Sequence, residues 1–475
     1  MPRRLLLLAL LALARPAVAQ PSRPPAAPSP RPPVAAAPRA PAPSAPRPLR
    51  PAIARVVDEL ARSLDGATGR ALVAAAPLVS DAPAPRGAQL TAALAAHLAG
   101  KLGAGARPQR DPLALPLARE AARSEGALVH LAVEIAAGRL RVTADVYPVP
   151  GTVWARLRDP EPGPIAHAYA EAPLDAEIRS FLAPIPLVAA KVDRARNFEG
   201  DVVALACGDL DADGSLELLS VSRRRVTTLR LRGGRVAPLQ SRAWPDIVGV
   251  HPSPLREPIA FATLVEREQG GELLPPFADV GLTDRARSVR FDGALQPVAE
   301  LPGLAVPDGG GSACTTAWGP LLTGPLGPCA PADPRPATPA LRGRYDALAS
   351  ARLLSPRGEP FTVWATRERG EVELRDSAGR RGVVGNAGAQ LAVGDLDQDG
   401  EPELLASLDV LNPLEDAVVV WSWRRRQGAP DRAAPAEVLR LPAPAGVRAL
   451  AVCPPDGAGR APFAVATADE IWVVR

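Results

Sequence analysis

The sequence predicts a mainly β chain, a six- or seven-bladed β-propeller preceded by a small α/β domain. Three observations predict it. A strand–loop–strand unit recurs along the carboxy-terminal two thirds; from Arg352 to Gly394 the spacing between copies is 42 residues, a propeller-sized period. Two copies carry nearly the same acidic stretch, "GDLDADGSLELL" from Gly208 and "GDLDQDGEPELL" from Gly394. Ahead of them, helical and strand periodicities alternate between residues 51 and 180.

Taken in chain order, the first twenty residues read as an export signal. Arg3 and Arg4 form the positive region, Leu5 to Ala14 the short apolar stretch, and Ala17-Val18-Ala19 the cleavage site. Ten apolar residues are too few to span a bilayer, and no later segment reaches transmembrane length without charge or proline. The expectation is an exported chain, periplasmic or extracellular. Residues 20–50 are Pro/Ala/Arg-rich and read as an extended tether that buries no core.

In the 51–180 region, Ile53, Val56, Val57, Leu60 and Leu64 share one helical face after Pro51. "RALVAAAPLVS" reads as a buried strand. Leu90, Leu94, Leu98 and Leu102 mark a second helix, and a third covers Leu113 to Ser124. "ALVHLAVEI", "RLRVTADVYP" and "TVWARLRD" read as three strands split by turns at Gly138 and Pro150-Gly151. His97, His130 and His167 fall here, none with a second ligand at metal spacing.

From 181 to 475 the pattern is repetitive. "RLLSPRGEPFTVWAT" from Arg352, "VHPSPLREPIAFAT" from Val250 and "AVCPPDGAGRAPFAVAT" from Ala451 align with the acidic copies, and "LAVPDGGGSAC" from Leu304 is a poorer match. Gly309-Gly310-Gly311-Ser312 reads as a flexible insertion without the lysine of a phosphate loop. The 295 residues after Ser180 accommodate six or seven blades of four strands.

Each acidic stretch packs four carboxylates into nine residues, an arrangement that repels itself unless a cation is shared. Calcium takes six to eight hard oxygens in a sharply turned loop. Asp209, Asp211 and Asp213, the Ser215 carbonyl and Glu217 supply one such set around Gly214. Asp395, Asp397, Asp399, the Glu401 carbonyl and Glu403 supply a second around Gly400. An EF-hand is excluded: position 12 is Ser220 or Ala406 rather than an acid, and strands flank the loops. Two calcium sites are expected.

These loops resemble the FG-GAP/VCBS repeats of integrin-α-type propellers, in which D-x-D-x-D-G-x-x-[DE] joins two strands of a blade. The resemblance implies calcium ions that rigidify blades and perform no chemistry. The stretch "AREAARSEGALVHLAVEIAAGRLRVTADVY" resembles the amino-terminal domains of TolB-like and CsgG/FlgO-like envelope proteins. The order of small α/β domain then propeller is also similar to TolB.

The remaining composition excludes more than it suggests. Net charge is +4, and Lys101 and Lys191 are the only lysines, so no nucleic-acid footprint is present. No nucleophile elbow, phosphate loop or zinc-protease motif occurs. The expectation is a non-enzymatic module that binds a protein or glycan, or organises envelope components. The competing reading is a hydrolase or lyase with its site in the propeller channel, although His251 is the only histidine in that region. Cys314 and Cys329 bracket a Gly/Pro-rich stretch and are expected to pair; Cys207 and Cys453 could face each other at ring closure or remain buried thiols.

Overall fold

The computed structural model describes residues 51–475 apart from 65–69, 189–190, 233–234, 244–259, 270–271, 284–286, 319–320, 330–340, 342–343, 425–433 and 456–459. The export signal, the tether, His251 and part of the copies beginning at Val250 and Ala451 lie outside the described residues.

The helix Ala52–Ser63 buries Ile53, Val56, Val57 and Leu60 on the face its spacing selects, with Leu64 buried just past its end. Its first N–H is satisfied at long range: Ala52 donates to Asp175 Oδ2 at 2.6 Å. Asp175 also caps the short helix Ala176–Arg179, accepting from Ile178 N–H at 3.1 Å. The helix Gly87–Leu102 buries Leu90, Leu94 and Leu98 and stops at Gly103, whose φ is +101°. Both long helices pack on one face of a mixed sheet, while Leu115–Ala121 covers the other through Ala118.

The sheet order is Ala106–Pro108, Ala71–Ala75, Ala127–Ala136, Arg139–Pro148 and Ala166–Pro173, parallel across the first two pairings and antiparallel across the rest. One expected strand is corrected here. Within "TVWARLRD", Val153–Arg158 is a helix, because the Thr152 hydroxyl caps it by accepting from Ala155 N–H at 3.1 Å. Its apolar residues are not core: Trp154 is 79% exposed. The third strand of the meander is Ala166–Pro173, whose buried positions are the small residues Ala168, Ala170 and Ala172, a weak hydrophobic signal.

From Val192 onward the chain forms six four-stranded antiparallel sheets among the described residues, the blades of a β-propeller. The inner strands of blades I to VI are Val202–Gly208, Ala260–Gln269, Leu304–Pro307, Ala347–Leu354, Ala387–Gly394 and Val447–Val452. Each touches the inner strands of both neighbours, which closes the ring. Alanine recurs in them beside valine and leucine. Larger side chains fill the spaces between adjacent blades: Val363, Leu374, Leu404 and Trp423 between IV and V, Val420, Val465 and Trp472 between V and VI.

The ring is fastened twice. Val192–Arg196, from the start of the propeller, forms the outer strand of blade VI against Glu470–Val474. Cys207 and Cys453 form a disulfide between the inner-strand ends of blades I and VI, resolving the two alternatives left open by the sequence. Cys314 and Cys329 pair within blade III, as their spacing suggests. The glycine run at 309–311, expected to be a loose insertion, is instead the tight hairpin of blade III. Asp308 N–H donates to the Gly311 carbonyl at 2.8 Å, with Gly309 and Gly310 at positive φ.

Candidate metal centre

Both acidic stretches lie between the first two strands of a blade, Val202–Gly208 and Glu217–Ser222 in blade I, Ala387–Gly394 and Glu403–Leu408 in blade V. Their backbones follow one plan. Ala212 and Gly214 take φ of +61° and +82°; Gln398 and Gly400 take +56° and +81°. The first aspartate of each accepts from the glycine N–H: Gly214 to Asp209 Oδ2 and Gly400 to Asp395 Oδ2, both at 2.9 Å. The closing glutamate of each accepts from the residue after that aspartate: Leu210 to Glu217 Oε2 and Leu396 to Glu403 Oε2, both at 2.9 Å. The turns thus draw three of the four carboxylates of each loop together, leaving Asp213 in blade I and Glu403 in blade V outside the group. Oxygens of Asp209, Asp211 and Glu217 lie within 4.8 Å of one another, as do those of Asp395, Asp397 and Asp399.

Electrostatics separate the two. In blade V, Glu403 is fully buried and its Oε1 has no hydrogen-bond partner; Asp395 Oδ1 is a second buried oxygen without one. Burial first, then the neighbouring aspartates, raises Asp395 and Glu403 well above the usual carboxylate range. Asp397 is pushed up to about 6 by burial and Asp399, against the pull of Arg424. That arginine is 54% exposed and reaches Asp397 at 2.9 Å and Asp399 at 3.3 Å. Two orphaned buried oxygens facing like charges fit a hard divalent cation.

In blade I, the side chain of Arg230, 14% exposed, lies against Glu217, Asp211 and Asp213. Hydrogen bonds from the Ser215 hydroxyl and N–H, joined by Arg230, lower Asp213 to about 2. Glu217 is raised by burial, with Leu210 and Arg230 opposing. The remaining expected ligands are backbone groups. Ser215 N–H donates to Asp213 Oδ1 at 2.7 Å, and Glu401 N–H to Asp399 Oδ1 at 2.8 Å. The Glu401 side chain is engaged elsewhere, accepting from Arg380 at 2.9 Å. Arg230 escaped the sequence reading; it lies 13 residues beyond Glu217, and strand pairing alone brings it back.

The central channel holds a cavity of about 490 Å³ walled mainly by Ala, Leu and Val of the inner strands, with Thr263, Ser350, Arg352, Gln390, Asp395 and Gln398 as polar positions. Leu174, Asp175 and Ala176 of the α/β domain also line it. The turn at Gly358 in blade IV sits so close to that domain that a Cβ there would lie 2.8 Å from Pro51. Of the histidines, His130 contacts the Leu113 carbonyl at 3.0 Å and His167 the Asp145 carboxylate at 2.7 Å, both within the sheet of the α/β domain.

Fold and site together define a six-bladed β-propeller with two acidic blade loops. No protein-family model and no curated protein matches the sequence. Similar solved structures include a humanized mutant of the Chaetomium thermophilum Polycomb Repressive Complex 2 bound to the inhibitor GSK343, with 8% identity, a TM-score of 0.34 and coverage of 58% of this chain and 94% of that one. Another is a member of the duf4221 family from Bacteroides vulgatus, with 9% identity, a TM-score of 0.34 and coverage of 61% and 98%. Neither likeness bears on function.

Proposed function

We propose that the protein is an exported, calcium-stabilised β-propeller that performs no catalysis and presents a binding surface to a protein or glycan of the cell envelope. The observation that carries the calcium reading is the pair of buried, unpartnered oxygens of Glu403 and Asp395 in the blade V loop. A cation there would be held by Asp395, Asp397, Asp399 and Glu403, and its role is to cancel their repulsion and stiffen the blade. The D-x-D-x-D-G-x-x-E turn between the first two strands of a blade is also where the FG-GAP/VCBS resemblance puts calcium.

Two disulfides support an oxidising compartment, and no helix among the described residues is long and apolar enough to cross a membrane. Metal analysis of the purified chain, with thermal melts in millimolar calcium and in chelator, tests the calcium reading. Identical melts and no bound metal would reject it. Capture from envelope extract by the full chain, with and without calcium, tests the binding role; no specific partner in either condition would count against it.

A further inference from the structure

The two loops share their acidic residues, positive-φ positions and place in their blades, yet they differ in the residue that stands across from the closing glutamate. In blade I the closing Glu217 pairs with Arg230 in the register of the neighbouring strand. In blade V the closing Glu403 pairs with Ser422. Arg230 lies along the pleat toward the loop. Its Nε donates to Glu217 Oε1 at 2.8 Å, and its Nη2 donates to Asp211 Oδ2 at 2.9 Å and Asp213 Oδ2 at 3.0 Å.

With Leu210 N–H on its other oxygen, Glu217 has both oxygens satisfied, whereas Glu403 Oε1 is left without a partner. A serine opposite Glu403 is too short to span the loop. Arg424, two residues further on, enters from the solvent side and contacts Asp397 and Asp399.

We propose that Arg230 is a built-in cation that replaces the metal in blade I, so that the chain takes one calcium ion, at the Asp395–Glu403 loop, and that the residue opposite the closing glutamate decides which loop is metal-dependent. The inference rests on the calcium reading above. A guanidinium does not lose its proton in a protein, so this cation is permanent. Calcium would have to displace it from three carboxylates and leave a mostly buried charge without partners, an expensive exchange. Blade I is thereby stiff at any calcium concentration, and blade V only when calcium is present.

Calcium titration calorimetry and bound-metal analysis on the full chain test this, using wild type, Arg230→Ser, Arg230→Lys and Ser422→Arg, with circular dichroism as the check on folding. The expected counts are one ion per chain for wild type, two for Arg230→Ser, one for Arg230→Lys and none for Ser422→Arg. Because Ser422 is buried and its variant is at risk of misfolding, Arg230→Ser decides. Two ions in wild type, or a single ion in folded Arg230→Ser, overturns the proposal and leaves the calcium reading standing. No ion in wild type overturns the calcium reading and this proposal with it.

Discussion

Replacing Glu403 by glutamine separates the two roles assigned to that side chain, because the effect should change sign with calcium. The amide oxygen can still accept from Leu396 N–H, the contact Glu403 makes at 2.9 Å. The new amide N–H groups face Asp397 and Asp395, the carboxylates that now repel Glu403. An unsatisfied buried acceptor costs about 1–3 kcal/mol. Glu403→Gln should therefore stabilise the propeller in chelator by about 1 kcal/mol, or about 2 °C for a domain of this size. In calcium the order reverses. At a hundredfold excess over its dissociation constant, one ion stabilises the wild type by about 2.7 kcal/mol, or about 5 °C. The variant has lost an anionic ligand and should gain little. Differential scanning calorimetry of both chains, in chelator and in millimolar calcium, measures all four quantities. An equal calcium shift in the two chains would refute the role of Glu403 as a ligand; a variant markedly less stable than wild type in chelator would refute the account of its buried charge.

Three further outcomes are expected. Removing the Cys207–Cys453 clasp, which spans 246 residues, should cost up to about 5 kcal/mol, against about 3 kcal/mol for Cys314–Cys329, which spans 15; denaturant melts of the two double alanine variants rank them, and equal losses would contradict the entropic account. Burial, then Asp175, pushes Glu177 up to about 7, so the folded chain holds that proton more tightly than the unfolded chain and stability falls as pH rises from about 4.5 to 7. Glu177 is only half-buried, so Glu177→Gln should remove about 1 kcal/mol of that decline, and an unchanged pH profile in denaturant melts would refute it. Gly400→Ala should destabilise blade V by about 1–3 kcal/mol, since φ there is +81° and a Cβ would lie 2.6 Å from Pro356 Cδ; a melt unchanged in chelator would count against this turn geometry.

Several elements were legible in the chain because their signals are local. The faces of Ala52–Ser63 and Gly87–Leu102 follow from leucine and valine spacing, and the acidic turns from aspartates at alternate positions before a glycine. "TVWARLRD" misled because a helix of six residues carries no period to recognise, and its single capping hydroxyl outweighs an apolar pattern that nothing covers. The strand Ala166–Pro173 was missed because its buried face is alanine.

The amino-acid sequence by itself determined that a blade-sized unit recurs, that two of its turns concentrate carboxylates, and that four cysteines were available to pair. The number of blades, the Cys207–Cys453 clasp and the use of Val192–Arg196 to complete blade VI were decided only by ring closure, which joins residues hundreds of positions apart. The difference between the two loops was decided by strand register. Glu217 and Glu403 stand in nearly the same local sequence, and the pairing of the next β-strand puts an arginine opposite one and a serine opposite the other. A charge that neutralises a loop acts through space, over about 3 Å, and its origin along the chain leaves no mark on the loop itself.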